Sequence, residues 1–374
     1  MDLKEKPRKV LHIVHSFLRG GIESCLHYLT NEQKNDPSLD ITILCCEDFD
    51  KILNDRIVKN GIKCVFIRIT PSTLSLKKYR SAYRLCQGFD VLHFHIFLPI
   101  LSFYLSSIKV PKLYTVHNSG VALRPRHFKA RLKEMLFIKF LNSHVDAIAN
   151  NSHYTKGYWE QLGITNRNNF VVPNGVGPVA HSQGLEQSEK PGELHGKIVI
   201  GTTSRLIPWK RVDILLDAFH NLENRANLML LIVGDGPDLG KLKSQAVSLG
   251  LESSVIFAGH QKNIGDYQSW MDICVFASIS EPFGLVAIEC LRKGKPVFVM
   301  QDGGGLPEII RPIDPNNIAT SVTHLSSLLD EAIKSLPVSE SSVSDRYEYS
   351  KSFSSSKMAL EYKEVYKILE SNRT

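Results

Sequence analysis

The stretch "GVGPVAHSQGLEQSEKPGELHG" (175–196) separates two series of predicted strands. Its Gly, Pro, Ser and Gln residues are typical of a linker. On both sides of it, apolar β-branched runs alternate with longer helical patterns, which is typical of parallel α/β units. Seven runs precede the linker and five follow it: "KVLHIVHSF", "DITILCC", "KCVFIRI", "DVLHFHIF", "KLYTVHN", "DAIANNS" and "NFVVPN", then "KIVIGTTSR", "NLMLLIVGDG", "SVIFAGH", "DICVFAS" and "PVFVMQDGG".

This organisation predicts an α/β protein with two Rossmann-like doubly wound domains facing a central cleft. We place the domains at residues 1–175 and 197–353, with the linker at 176–196. The length of 374 residues agrees, because a single core rarely grows past about 250–300 residues. Ligands of such sheets bind at the carboxyl ends of the strands. Functional residues are therefore expected in the loops that follow the strands.

The composition is that of a globular protein, with 43% hydrophobic and 22% charged residues. The N-terminal "MDLKEKPRKV" is too charged for a secretory signal. The uncharged run 91–108 has the length of a membrane span. Its histidines, serines and Pro99 instead favour a buried strand, a turn and a helix. Seven scattered cysteines without a CxxC pair are typical of reduced core residues, which predicts a cytoplasmic protein.

Charge is distributed unevenly, since the first 175 residues carry a net charge of +11 and the remainder −4. A basic half suggests an acidic partner. Nucleic acid is not favoured, because the sequence contains no zinc finger, helix-turn-helix or aromatic RNA motif.

Two groups of residues could bind phosphate. Gly20 and Gly21 lie between a strand and a helix, where backbone amides can approach an anion, although a tight structural turn explains them equally well. Arg205 and Lys210 follow the first strand of the second domain, just before an amphipathic helix. Fixed cations there can neutralise a diphosphate without a metal. The alternative is a pair of solvated surface cations.

In "SISEPFGLVAIEC" (278–290), two acids, Glu281 and Glu289, lie eight positions apart. Pro282 is expected in the first turn of a helix, with the free amides of Phe283, Gly284 and Leu285 facing a ligand. If both acids were helical, they would be about 12 Å apart along the axis. That is too far for a glycosidase pair, so we expect them to contact different parts of one ligand. A helix-dipole role for Glu281 is the alternative.

Several histidines stand near strand ends. His117 ends "KLYTVHN" and could face the cleft. His93 and His95 share a strand face and suggest a metal, but with no third ligand evident, core packing and a hydrogen bond in the cleft are favoured. "DFD" (48–50) has the spacing of a metal-diphosphate triplet, but we interpret it as a capping or surface loop.

Together these motifs resemble glycosyltransferase family 4, retaining enzymes of the GT-B fold that take a sugar from a nucleotide donor. "SEPFGLVAIEC" matches the family's Glu-x7-Glu signature. "SRLIPWK", "VGDGP", "FAGH" and "GGLPE" occur in the family's order, and the first half contributes "GGIES", "TVHN", "NNSHYTK" and "VPNGV".

The resemblance implies a role for each candidate residue. Glu281 would lie beside the transferred sugar, Glu289 would hold the ribose, and His117 would contact the donor sugar. Further residues would bind the diphosphate or line the base pocket: Arg205, Lys210, Gly20 and Gly21 for the diphosphate, and Gly234, Gly259 and His260 for the base. It also implies that no metal or other cofactor is needed, that a UDP-sugar is the co-substrate, and that a C-terminal helix at 354–372 packs back on the first domain.

The basic segment 123–140 carries six basic residues and one acid among Leu and Phe residues, and it resembles a surface that lies on an anionic membrane. A solvated basic helix is the alternative. We therefore expect a hexosyltransferase of bacterial surface polysaccharide synthesis (lipopolysaccharide, O-antigen or capsule), peripheral at the inner face of the cytoplasmic membrane, with a glycan or lipid-linked glycan acceptor. A nucleotide-sugar epimerase and a non-catalytic sugar-nucleotide-binding subunit remain alternatives.

Overall fold

The computed structural model describes residues 6–15, 21–47, 60–119, 128–177 and 190–371. The chain divides into two compact units, one of residues 1–178 with 353–374 and one of residues 179–352. Gly20 and the segment "DFD" (48–50) lie outside the described residues, as do most of the predicted linker and residues 123–127.

The first unit is built on a sheet of seven parallel strands in the order β3-β2-β1-β4-β5-β6-β7. This is the doubly wound order with one strand added. The strands are β1 (Arg8–Val14), β2 (Leu39–Cys45), β3 (Lys63–Phe66), β4 (Val91–Phe94), β5 (Lys112–Val116), β6 (Ala147–Asn150) and β7 (Asn169–Val171).

Six helices accompany this sheet among the described residues: α1 (Gly21–Lys34), α2 (Leu76–Cys86), α3 (Pro99–Ser106), α4 (Phe128–Ser143), α5 (His153–Gln161) and, from the C-terminus, α13 (Ser355–Ser371). Helix α13 packs against α1. It buries Met358, Tyr362, Val365, Tyr366 and Leu369. The last helix of the chain is therefore part of the first unit's core.

The second unit contains six parallel strands in the order β10-β9-β8-β11-β12-β13. Its strands are β8 (Ile198–Thr203), β9 (Leu228–Val233), β10 (Val255–Gly259), β11 (Ile273–Phe276), β12 (Val297–Met300) and β13 (Ile318–Ala319). Its helices are α6 (Val212–His220), α7 (Leu239–Ser248), α8 (Ile264–Trp270), α9 (Leu285–Leu291), α10 (Leu306–Ile310), α11 (Val322–Lys334) and α12 (Glu340–Ser350).

The predicted α/β class with two Rossmann-like units is confirmed, and each of the twelve predicted runs contains a strand. The amphipathic pattern after Lys210 is confirmed in α6, where Val212, Leu215, Leu216 and Phe219 are all buried. The run 91–108 forms β4, a loop and α3, as predicted. No helix in the described ranges combines the length and the hydropathy needed to cross a bilayer.

Candidate functional site

In the second unit, the loop after β8 holds both predicted phosphate-binding cations. Arg205 is exposed, and its guanidinium has no ion-pair partner in the described part of the chain. Lys210 ends the short 3-10 turn Pro208–Lys210. Its Nζ donates to Oε2 of Glu281 at 2.5 Å, and both side chains are less than a fifth exposed. The structure therefore brings together two of the predicted site residues from loops 71 positions apart.

Arg211, which sequence reasoning missed, fixes this loop in place. It has a left-handed backbone with φ 47° and ψ 45°. Its Nε donates to the carbonyl of Ala277 at 2.9 Å, and its terminal nitrogens donate to both oxygens of Asp302 at 2.9 and 2.5 Å. A bidentate guanidinium–carboxylate pair fixes orientation as well as distance. The loops after β8, β11 and β12 are thereby tied together beside Lys210.

The backbone of Glu281, in the loop after β11, is hydrogen-bonded to a glycine-rich segment (303–305) that follows β12. Its backbone N–H donates to the carbonyl of Gly303 at 3.2 Å, and its carbonyl accepts from the N–H of Gly305 at 2.7 Å. Gly304 has φ 71°, and a Cβ there would lie 2.4 Å from the Glu281 carbonyl oxygen. Only glycine allows so close an approach at that backbone angle. The "GGLPE" motif thus sets the position of the Glu281 backbone.

The prediction that Pro282 lies in the first turn of the following helix is wrong. Helix α9 begins three residues later, at Leu285, and Gly284 precedes it in a left-handed conformation with φ 112°. The pairing of Glu281 with the 303–305 segment holds the backbone outside a helix, and the left-handed Gly284 marks the change. Phe283 and Gly284 are buried and Leu285 is half-buried, while the contact of their amides with a phosphate stays a prediction.

Glu289 lies inside α9, in surroundings unlike those of Glu281. Its carboxylate accepts a hydrogen bond from Nε2 of Gln268 in α8 at 3.1 Å. Burial raises the pKa of Glu289, while the Gln268 hydrogen bond and the charges of Lys293 and Arg292 act in the opposite direction. Glu281 is thus paired with the ammonium of Lys210 outside a helix, whereas Glu289 lies within α9 and accepts from the amide of Gln268.

The three residues predicted for the base pocket lie at the carboxyl ends of β9 and β10: Gly234 follows β9, Gly259 ends β10 and His260 comes next. Gly234 has φ 139°, and a Cβ there would lie 1.8 Å from the carbonyl oxygen of Ser204. Its N–H donates to the carbonyl of Gly259 at 2.8 Å, and His260 follows as an exposed residue. The hydroxyls of Thr203 and Ser204 are buried without a hydrogen-bond partner among the described residues.

In the first unit, Gly21 begins α1, and His117 follows β5. His117 belongs to a row of buried and half-buried imidazoles on β1 and at the ends of β4 and β5. Its Nε2 lies 3.0 Å from Nδ1 of His95, whose Nε2 lies 2.9 Å from Nδ1 of His12. His12 in turn reaches Oε1 of Gln33 at 2.9 Å. His93, the register partner of His12, contacts the hydroxyls of Tyr366 at 2.8 Å and Thr115 at 2.7 Å.

His12 is the third imidazole that the sequence prediction lacked. One ring nitrogen from each of His12, His93 and His95 lies within 4.8 Å of the others, a spacing that could hold a metal. However, hydrogen bonds already engage all six of their ring nitrogens. The alternation in "LHFHIF" was the available signal for His93 and His95, because residues two apart share one face of a strand. In "LHIVH", His12 and His15 are three apart and give no such signal.

These histidines are neutral in the folded protein at pH 7. Burial lowers the pKa of His12 and of His117 to about 4. Burial and the neighbouring imidazoles lower the pKa of His93 and His95 well below its ordinary value. Each ring therefore carries one N–H and one lone pair.

Comparison with known proteins covers both units. Residues 19–178 match the family model described as "Glycosyltransferase Family 4", and residues 185–345 match the model "Glycosyl transferases group 1". Together the two models account for most of the chain.

Relatives and solved structures agree with these matches. An uncharacterized glycosyltransferase of Methanocaldococcus jannaschii is 27% identical over 86% of this chain and 90% of its own length. N-acetyl-alpha-D-glucosaminyl L-malate synthase of Bacillus anthracis is 24% identical over 79% of both chains. The crystal structure of Anabaena Alr3699/HepE in complex with UDP-glucose has a TM-score of 0.77 and 19% identity, covering 97% of this chain and 99% of that chain. The fold is therefore the predicted GT-B fold.

Proposed function

Because the chain belongs to glycosyltransferase family 4, we propose that it transfers a hexose, with retention of anomeric configuration, from a nucleotide diphosphate to a glycan or lipid-linked glycan. The observation that carries this proposal is the Lys210–Glu281 pair at 2.5 Å, whose lysine shares the loop after β8 with Arg205, a residue with no ion-pair partner among the described residues. Such a transfer requires a carboxylate beside the sugar and cations beside the diphosphate. These groups must lie close together, because the sugar and the diphosphate are joined by the bond that breaks.

In the proposed reaction, the acceptor hydroxyl attacks the anomeric carbon from the face that the diphosphate leaves. The bond from that carbon to the phosphate oxygen breaks, a bond to the acceptor oxygen forms, and the acceptor's proton passes to the departing phosphate. Arg205 and Lys210 stabilise the charge that develops on the diphosphate. Two cations supply this stabilisation without a metal, so we propose a metal-independent reaction.

The donor is proposed to be a UDP-sugar. In support, Anabaena Alr3699/HepE has been crystallised with UDP-glucose. Glu281 would face the sugar, Glu289 would hold the ribose hydroxyls, and His117 would contact the sugar. The base would lie against Gly234, Gly259 and His260. Diphosphate contacts would come from Gly20, Gly21 and the amides of Phe283, Gly284 and Leu285.

The test is a panel of UDP-, GDP- and ADP-sugars, read by thermal shift and by donor turnover. Lys210→Ala should lower kcat by about 100- to 1,000-fold, because one preformed charge stabiliser of the transition state is lost. The matched control is Lys334→Ala, which removes a lysine from the exposed pair with Glu223. Normal turnover by a folded Lys210→Ala protein would contradict the diphosphate role. An isomerised donor would indicate an epimerase, and binding without turnover a non-catalytic subunit.

We also propose that the acceptor belongs to surface-polysaccharide synthesis at the inner face of the cytoplasmic membrane, which the first unit contacts. Three exposed apolar side chains support this: Phe128, Leu132 and Met135 are 79, 40 and 59% exposed. Their spacing of four and three residues places them on one stripe of α4. The exposed cations Lys129, Arg131, Lys133 and Lys139 occupy the same helix.

The neighbouring helices carry further exposed apolar side chains. Helix α3 contacts both α2 and α4, and four more large apolar side chains are exposed on or beside α2 and α3: Leu74, Leu76, Ile100 and Tyr104. The three helices together carry eight Lys and Arg residues and one acid, Glu134. Exposed apolar groups among cations favour an anionic bilayer over a neutral one.

Co-sedimentation with vesicles of phosphatidylglycerol and phosphatidylcholine tests this contact. The double variant Phe128→Ser, Met135→Ser should lose binding that the wild type shows at low salt. Leu360→Ser is the matched control, since Leu360 is 62% exposed on α13 of the same unit. Equal sedimentation of the double variant and the wild type would overturn the proposed surface.

A further inference from the structure

The hydrogen-bonded row Gln33–His12–His95–His117 has a direction. Three neutral imidazoles share three N–H groups, and the two contacts between the rings use two of them. The third N–H must stand at one end of the row, either on His12 toward Gln33 or on Nδ1 of His117. A single choice at one end therefore fixes the tautomer of all three rings.

Gln33 makes that choice. Its side-chain carbonyl Oε1, which can only accept, faces Nε2 of His12 at 2.9 Å, and its amide Nε2 donates to the hydroxyl of Tyr366 at 3.1 Å. With the Gln33 amide in this orientation, His12 carries its hydrogen on Nε2 and accepts on Nδ1 from Nε2 of His95. By the same rule His95 accepts on Nδ1 from Nε2 of His117. The row leaves Nδ1 of His117 with a lone pair.

That nitrogen is buried and has no hydrogen-bond partner among residues 6–15, 21–47, 60–119 and the other described ranges. An unpaired buried lone pair is tolerated better than an unpaired buried N–H. The geometry at the His117 end therefore agrees with the direction set at the Gln33 end.

We infer that Gln33, His12 and His95 are positioning residues that fix the tautomer of His117, with hydrogen on Nε2 and a lone pair on Nδ1. The effect of this tautomer on activity rests on the proposed function, which places His117 at the donor sugar. The lowered pKa of each ring supports the inference, because a second proton on any ring would destroy the direction of the row.

The full-length protein, labelled with 15N in its histidines, allows a direct test. The 15N shifts distinguish a nitrogen that bears hydrogen from one that does not, and a His117→Gln spectrum assigns the His117 signals. We expect Nδ1 of His117 without hydrogen and Nε2 with hydrogen at pH 7. Hydrogen on Nδ1 in the wild type would overturn the inference, whether or not any nucleotide sugar is turned over.

Gln33→Met removes the acceptor that faces Nε2 of His12. The N–H that is not used between the rings should then move from His12 to Nδ1 of His117. The matched control is Thr115→Val, which breaks the neighbouring hydrogen bonds to His93 and Tyr362 but leaves the row intact. An unchanged His117 spectrum in folded Gln33→Met would contradict the role of Gln33.

Activity supplies the second readout. With UDP-glucose, or whichever donor the panel identifies, Gln33→Met should lower kcat/KM about tenfold through the loss of one hydrogen bond, and Thr115→Val should not. Equal losses in both variants would indicate a merely structural role. If the tautomer changes as expected but no nucleotide sugar is turned over, the proposed function fails and the direction of the row stands.

Discussion

Glu281 and Glu289 have the same side chain but different surroundings. Glu281 is paired with Lys210 outside a helix, whereas Glu289 is held by Gln268 within α9. Glu281→Gln should lower kcat by about tenfold or more with little change in donor KM, since our proposal places the Glu281 charge next to the reacting sugar. Glu289→Gln should mainly raise the donor KM, because a ribose contact is used equally in ground and transition states.

Initial rates over a range of donor concentrations separate these two effects. Gln keeps the size of Glu and can still accept a hydrogen bond, so packing is largely preserved in both variants. The reverse pattern, with turnover lost in Glu289→Gln and binding lost in Glu281→Gln, would contradict the division of roles.

At the same scale, the sequence drew attention to the charged residues that we propose face a ligand, but not to the residues that hold their loops in place. Arg205, Lys210 and Glu281 could be picked out because each closely follows a strand. Arg211 and Asp302 also follow strands, but their importance depends on a bidentate contact between residues 91 positions apart. His12 was missed because its neighbours on β4 and β5 are set by strand order, which a single run does not reveal.

Among elements, strands were predicted better than helix starts. The central strands of each sheet were the easiest to predict, because their side chains are buried on both faces of a parallel sheet and give an uninterrupted apolar run. The missed strand, β13, has two residues, too few for a periodic signal. The start of α9 was misplaced because the tertiary pairing of Glu281 with the 303–305 segment overrides the local preference of Pro282 for a first helical turn.

The docking of α13 on the first unit provides a prediction at this scale. The hydroxyl of Tyr366, a fully buried residue, accepts from Gln33 of α1 and bonds His93 of β4. Tyr366→Phe should lower the free energy of unfolding by about 1–3 kcal/mol, since two buried polar groups lose a partner. Urea denaturation at pH 7 measures the change.

The matched control for Tyr366→Phe is Tyr104→Phe in α3, where the ring is 39% exposed. Its hydroxyl can exchange protein surroundings for water, so the change should stay within about 0.5 kcal/mol. Similar losses in the two variants would argue against a special role of the Tyr366 hydroxyl in joining α13 to the sheet.

For the whole molecule, the buried imidazoles make stability depend on pH. In the unfolded chain a histidine titrates near its model value of 6.5, while burial lowers the pKa of His12 to about 4 in the folded state. Above pH 6.5 both states are neutral and the stability is fully present. As the pH falls from 6.5 toward 4, the unfolded chain binds the proton and the folded chain does not, so stability is lost.

For His12 alone this loss approaches about 3 kcal/mol at pH 4, from a pKa difference of about 2.5. Urea unfolding between pH 7 and 5 should show the free energy of unfolding falling over this range.

Trp159 is the only tryptophan of the first unit, so its fluorescence reports the unfolding of that unit in a Trp209→Phe, Trp270→Phe background. In that background His12→Gln should reduce the slope of unfolding free energy against pH by about 1.4 kcal/mol per unit, the value for one proton. Equal slopes in the background protein and in its His12→Gln variant would mean that His12 titrates normally in the fold.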